Sequence, residues 1–344
     1  MNKTISILLS VIMLISVIAI STESVSAKSI KLSRPTNISV TLKSISKSFL
    51  SWKKVKNASK YEVYCSINNK KFKKVAITNT NKLYHTGLKE CSSYRYKIRA
   101  VKGNKKSAFS YIKTVKTISQ NDFSLKATAS GARITLNWSQ VKNASGYLIY
   151  RKNSINDYHL IGNAYNNLYK DSATLDLNTT YTYKIIPYIY SNGKKLQRKG
   201  KAISVLTDKK AYLLDLVKPY EKPSWYKEES CIMGGEKYFH GFTCMGYGEE
   251  GYGNVTSFNL KGKYKKLSFD AGILDGDSNK NNANIFIYED GELISQFEIN
   301  SGKLPQHYTV DVSNCIQLKI CVYSGRWVAQ WDSNYGIANL IVEA

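Results

Sequence analysis

The feature that most constrains the fold of this chain is an internal repeat. Trp52 opens WKKVKNASKYEVY and Trp138 opens WSQVKNASGYLIY, with VKNAS identical in both at an offset of 86 residues. A second match follows, the interval Leu88 to Tyr94 against Leu175 to Tyr181. Each of these tyrosines starts an alternating run: Tyr94, Tyr96, Ile98 and Ala100 in one copy, Tyr181, Tyr183, Ile185 and Pro187 in the other. Alternation at period two puts such residues on one face of a strand, and an apolar face of this kind is the buried one. A period of 86 is longer than the roughly 20–50 residues of solenoid repeats and suits a tandem β-sandwich domain.

The last third of the chain has no such copy but the same short-strand texture. Strands are predicted over 255–260, 266–272, 283–289, 293–299, 307–312, 317–323 and 335–342. Asp290-Gly291 between two of these runs is a hairpin-turn signal. The glycines from Gly234 to Gly253 mark turns and loops. Long helix-period patterns are absent, and the chain carries 26 tyrosines against 5 prolines. The expected fold class is all-β: two tandem immunoglobulin-like sandwiches followed by a two-sheet β-sandwich. Expected boundaries are 1–27 for a signal peptide, then 35–118, 122–207 and 210–344 for three domains, with short joints at 119–122 and 207–211.

Lys3, the apolar run Ile5 to Ile20 and the small residues Val25-Ser26-Ala27 read as a secretory signal cleaved after Ala27. The apolar run is short for a membrane span of about 20 residues, so no transmembrane span is expected in the mature chain. The product is expected to be secreted and extracellular, held to a cell wall by non-covalent contacts. The six cysteines form no CxxC pair and no zinc spacing. They read as buried thiols, with Cys231 and Cys244 as the disulfide candidates.

Charge is unevenly spread. Residues 28–120 hold 23 Lys/Arg and 2 Asp/Glu, while residues 210–344 hold 13 and 17. The expected partner of the first domain is therefore an anionic cell-wall or surface polymer, and that of the last domain is not. No nucleic-acid-binding motif accompanies the basic charge, so nucleic acid is not expected.

Both repeat copies resemble fibronectin type III domains, on Pro35-x-x-Ile38 at the first start, the strand-B Trp52 and Trp138, the Tyr-x-Val/Ile-Tyr strand C and the corner Tyr94 and Tyr181. The resemblance implies that these aromatic residues are core. The last segment resembles the NPCBM family, the "novel putative carbohydrate-binding module" type. The matching pieces are YLLDL, Trp225, GGEKYFHGF, FNLKGKYKKLSFDAGILDG, IFIYEDGELI, VDVSNCIQLKI and YGIANLIV, in family order. This resemblance implies a jelly-roll-like sandwich that binds sugar. The chain departs from the family pattern at Gly241 to Gly246, which has no His, and at Asn334-Tyr335, where many members have Asp-Trp.

Sugar recognition needs flat apolar rings and planar polar groups. The stretch SGRWVAQWDSNYG supplies Arg326, Trp327, Trp331, Asp332 and Tyr335, and the Gly-rich loop before it adds Tyr247 and Tyr252. These seven are the candidate carbohydrate-binding residues. Asp275, Asp277, Asn279 and Asn281 place oxygens at alternate positions as a calcium loop does, but Lys280 and Phe286 stand where that loop needs Gly and Glu. Calcium is thus the one cofactor the pattern admits. Four scattered histidines and no recognised nucleophile motif argue against an enzyme, although Asp270, Asp275 and Asp277 have the residue type of glycosidase acids. The expected function is non-catalytic glycan binding, with the two fibronectin-like domains as spacer and basic foothold. The alternative is an extracellular adhesion or structural protein whose C-terminal sandwich contacts protein.

Overall fold

A computed structural model of the chain describes residues 31–153, 155–245, 254–278, 280–324 and 333–344. It is nearly all β, with 55% of residues in strands and 1% in helix, as the short alternating runs require. The chain forms two compact units. The first comprises Lys47–Gly87 and Ser93–Val115 with the segment ending at Leu42, and the second comprises Lys43–Ser46, Leu88–Ser92 and Lys116–Ala344.

The first repeat copy builds a sheet from Ser39–Ser44, Lys47–Ser51 and Lys82–His85, and a second from Lys73–Thr78, Lys60–Ile67, Ser93–Lys102, Lys105–Lys106 and Lys113–Lys116. The second copy repeats the plan with Leu125–Ser130, Arg133–Trp138 and Leu168–Lys170 against Tyr158–Ala164, Gly146–Lys152, Thr180–Ser191, Lys194–Gln197 and Lys201–Leu206. The identity of VKNAS has an atomic reason. In the first copy Ala58 N bonds Val55 O and Asn57 turns at φ 66°; in the second Ala144 N bonds Val141 O and Asn143 turns at φ 64°. Asn tolerates this left-handed conformation better than most residues. The turn then presents Val55 N to the Tyr61 hydroxyl at 2.8 Å, and Val141 N to the Tyr147 hydroxyl at 2.9 Å. Each tyrosine packs edge-on to its tryptophan, at 5.3 Å for Trp52–Tyr61 and 5.1 Å for Trp138–Tyr147. Trp52, Trp138 and Tyr94 are buried. Tyr181 is only half-buried, and its hydroxyl accepts a hydrogen bond from Asp176 N at 2.9 Å. It closes a corner rather than filling the core.

The copies diverge at one buried polar position. In the first, the Tyr96 hydroxyl meets His85 Nδ1 at 2.8 Å and Ser48 Oγ at 3.2 Å. In the second, the Tyr183 hydroxyl donates to Asp171 Oδ2 at 2.7 Å, and Arg151 Nη1 donates to the same oxygen at 2.6 Å. Burial lowers the pKa of His85, because it disfavours the imidazolium. With the folded value below the unfolded value of about 6.5, the unfolded chain binds more protons as the solution is acidified, so stability rises with pH. The contribution of neutral His85 is full above about pH 6.5 and is lost as pH falls through the folded value. The unfolding midpoint of the first unit is therefore expected to drop between pH 7 and pH 5, and His85→Gln to remove part of that drop. An unchanged pH dependence in His85→Gln would rule this out.

The C-terminal sandwich places Gln306–Asp311, Lys266–Ile273, Asn334–Glu343 and Lys210–Tyr212 in one sheet, with Phe242–Met245 also pairing Asn334–Glu343. The facing sheet runs Asn254–Asn259, Gln317–Tyr323, Ala283–Glu289 and Glu292–Ile299. Alternate residues Leu267, Phe269 and Ala271 are buried, as are Ile285, Ile287, Leu318, Ile320 and Val322. Phe269 of one sheet meets Phe297 of the other edge-on at 6.1 Å. The hairpin signal holds: Glu289 pairs with Glu292, and Asp290 (φ 50°) and Gly291 (φ 96°) make the two-residue turn.

A small hairpin, Cys231–Met233 with Glu236–Tyr238, covers the other face of the first sheet. Cys231 and Met233 pack on Ala338, and a Cβ at Gly336 would lie 2.7 Å from Met233 Sδ and 2.8 Å from Cys231 Sγ. Cys231 and Cys244 are both buried thiols and do not pair with each other. Between the second copy and this sandwich, within the second unit, the joint is fixed by Gly131 N donating to Asp208 Oδ2 at 2.7 Å and by Lys263 Nζ at 2.5 Å from Asp176 Oδ1. No described helix is long and apolar enough to cross a membrane.

Candidate functional site

Strand register brings four loops to one end of the C-terminal sandwich. Met245 pairs with Asn334 and Ile273 with Tyr335 in one sheet; Asn254 pairs with Val322, Asn284 with Tyr323 and Ala283 with Ile299 in the other. The segments 246–253, 274–282, 300–305 and 324–333 therefore start and finish side by side. Arg326, Trp327, Trp331, Asp332, Tyr247, Tyr252 and Asn279 lie outside the described residues, but the described stems of their loops meet here.

The acidic loop clamps this end together. Both carboxylate oxygens of Asp275 accept backbone N–H groups, from Gly234 at 2.8 Å and Gly235 at 2.7 Å. Both glycines have positive φ, at 61° and 83°, which aims their successive N–H groups at one anion as a nest does. Asp277 Oδ2 accepts from Asn334 N at 2.6 Å and from Asn334 Nδ2 at 3.0 Å. Asn281 N donates to Ser333 Oγ at 2.8 Å. The 275–282 loop thus holds both the Gly234-Gly235 turn and the chain at Ser333 and Asn334.

This geometry accounts for the calcium-like spacing in another way. Asp275 and Asp277 already accept protein N–H groups, and the Asn281 carbonyl accepts from the Tyr335 hydroxyl at 3.0 Å. Among the described residues no three His, Cys, Asp or Glu side chains gather to hold a metal. Tyr335 corrects the sequence expectation. It is fully buried, because in the strand Asn334–Glu343 it shares the inward phase of Ile337. Its ring offers no face to a ligand, and it braces the loop from beneath.

The structure adds residues that sequence reasoning missed. A cleft of about 360 Å³ opens beside the clamp, lined among others by Leu274, Asp275, Lys280, Ser301, Lys303 and Leu304. Leu304 is 73% exposed, an apolar surface flanked by two ammonium groups and a hydroxyl. Trp225 is 40% exposed and its indole N–H donates to the Asn254 side chain, itself buried at this end. No motif signalled the lysines; the exposed Trp225 had a signal in its polar neighbours, KPSWYKEE.

Each of the three candidate acids is engaged by the protein's own groups. Asp270 accepts from Asn339 Nδ2 at 2.7 Å and lies 2.7 Å from His307 Nδ1, whereas Asp275 and Asp277 serve the clamp. Among the described residues no hydroxyl or thiol hydrogen-bonds His307.

No family model and no curated protein matches the chain. Solved structures do resemble it. The CBM51-2 and INT domains from Clostridium perfringens ZmpB align at 16% identity and a TM-score of 0.34, over 50% of this chain and 39% of that one. CBM51 from Clostridium perfringens GH95, in complex with methyl-galactose, aligns at 14% identity and a TM-score of 0.32, over 39% of this chain and 99% of that one. A two-domain fibronectin type III segment from chicken tenascin aligns at 15% identity and a TM-score of 0.28, over 50% of this chain and 99% of that one.

Proposed function

We propose that the chain is a secreted, non-catalytic carbohydrate-binding protein whose C-terminal sandwich holds glycan at its loop end. The observation that carries this reading is a cleft of about 360 Å³ beside the Asp275 clamp, with both polar and apolar lining. Small-ligand sites are concave, mostly apolar and fitted with a few polar groups. The cleft offers Leu304 as apolar surface and Lys280, Lys303 and Ser301 as hydroxyl partners. The two fibronectin-like domains serve as spacer, and residues 28–120 as a basic foothold on an anionic cell-wall polymer.

The test is retention of the full chain on a glycan array. A bound glycan is expected to be held about tenfold or more weakly by Lys280→Ala/Lys303→Ala, a loss of roughly 1.4 kcal/mol or more, with melting nearly unchanged because both side chains line an open cleft. Of Trp327→Ala and Trp331→Ala, one is expected to abolish retention without lowering the melting temperature. An array with no retained glycan, or variants that all bind as the native chain does, defeats the reading.

A second reading is protein adhesion through the same sandwich, favoured by the lack of a His in the stretch that begins at Gly241. A Cβ there would lie 2.4 Å from Ile337 O and 2.5 Å from Ala338 Cα, so the start of the His-less stretch is set by close packing. A chain that retains no glycan but binds an extracellular protein through residues 210–344 would favour this reading.

A further inference from the structure

The basic foothold of residues 28–120 narrows to one face of the first unit. In the strand Ser93–Lys102 the inward positions Tyr94, Tyr96, Ile98 and Ala100 are buried, and the outward positions carry Arg95, Lys97 and Arg99. Three aromatic rings lie between these cations. Phe72 lies 5.7 Å from the Arg95 guanidinium and 4.5 Å from Lys97 Nζ. Phe109 lies 4.1 Å from Lys97 Nζ and 4.8 Å from the Arg99 guanidinium. Tyr64 lies 5.3 Å from Arg99 and packs edge-on to Phe109 at 5.0 Å. The result is a continuous ladder of alternating cations and rings.

One carboxylate enters the ladder. Glu62 accepts from Arg99 Nε at 2.7 Å and from Lys74 Nζ at 3.4 Å. Glu62 and Glu90 are the only acidic residues in 28–120. Arg95 donates to Asn69 Oδ1 at 3.1 Å, and among the described residues neither Arg95 nor Lys97 contacts a carboxylate. The two cations are held in place by rings without being neutralised, so little side-chain freedom is left to lose when an anion arrives.

We propose that this face docks a linear polyol-phosphate chain, with Arg95 and Lys97 as the principal phosphate contacts. The proposal rests on the reading that residues 28–120 grip an anionic polymer. Outward positions on a strand recur about every 6.6–6.8 Å, so the cations form an evenly spaced row that matches a polymer with regularly repeated phosphates. The rings decide against nucleic acid. Single strands are held by bases stacking on open aromatic faces, and here the rings are already engaged by the protein's own cations and by one another.

The test measures binding of the whole chain to immobilised poly(glycerol phosphate) over a range of salt. Arg95→Gln/Lys97→Gln is compared with Lys53→Gln/Lys54→Gln, which removes the same charge from exposed positions off the face. The face variant is expected to weaken binding about tenfold and to reduce the log–log salt slope by about 1.4, at roughly 0.7 for each phosphate no longer neutralised. Arg95→Lys/Lys97→Arg is expected to bind as the native chain does. Equal losses in the two Gln variants would overturn the docking face and leave the anionic-polymer reading standing. No binding by the native chain would remove both. Tighter binding to a poly-dT strand of equal charge would also overturn the assignment. If the face variant misfolds, polymer protection of Lys97 from acylation, read by mass spectrometry on the native chain, takes its place. Lys97 protected with Lys53 and Lys54 labelled supports the face, and uniform labelling refutes it.

Discussion

Asp171→Ala is expected to destabilise the second unit by about 3–5 kcal/mol, because removing one partner of a buried ion pair leaves the other uncompensated. Asp171 has a side chain 3% exposed, and its partner Arg151 is 19% exposed. One carboxylate oxygen takes the Arg151 guanidinium and the Tyr183 hydroxyl, and the other accepts Ala173 N at 3.0 Å. Asp171 N also bonds Ile134 O at 2.9 Å, which ties this corner to the neighbouring strand. Burial, together with the adjacent carboxylate, pushes the Tyr183 phenol far above its usual range, so it remains a donor at all ordinary pH. Alanine would strand the guanidinium and this hydroxyl together. Arg151→Met/Asp171→Leu is expected to recover most of the loss, since replacing a whole buried pair by apolar groups is often neutral. Denaturant unfolding of the three chains checks both statements; an Asp171→Ala chain within 1 kcal/mol of native, as for a surface pair, would refute the first.

Trp52→Ala and Trp138→Ala are each expected to cost about 3–5 kcal/mol, the usual loss for a buried tryptophan. The two lie in different compact units, so each is expected to lower one calorimetric transition and leave the other in place. Both indole Nε1 atoms are buried without a hydrogen-bond partner among the described residues. Phenylalanine gives up ring volume but also removes that unsatisfied donor, so Trp→Phe is expected to cost less than half as much as Trp→Ala. Either Trp→Ala variant shifting both transitions equally would contradict the division into units.

Much of the fold is legible because period-two burial leaves a direct mark on sequence. The pattern at 266–272 predicts a strand and the strand is Lys266–Ile273; that at 283–289 matches Ala283–Glu289 without change. Tyr335 is a misassigned ligand residue although the signal is present, since the strand predicted at 335–342 puts Tyr335 in phase with buried Ile337. Its place in an aromatic-rich stretch masks that phase. The Asp/Asn spacing at 275–281 is ambiguous in principle, because a carboxylate that closes a loop on backbone N–H groups needs the same residues as one that binds a cation. The Asp270–His307 pair and the Asp275–Gly234 clamp depend on register between distant strands, which local pattern does not encode. The hairpin Cys231–Tyr238 has strands of three residues, too short for any period to show.

The first and last strands of the C-terminal sandwich are hydrogen-bonded neighbours. Lys210 pairs with Glu343, their side chains meet at 3.3 Å, and Ala344 N bonds Lys209 O at 3.0 Å. Entry and exit of the module therefore lie side by side at one sheet edge. A module with adjoining ends can be grafted into a surface loop of an unrelated host without stretching either chain, or reopened at the exposed Asp290-Gly291 turn once its old ends are joined.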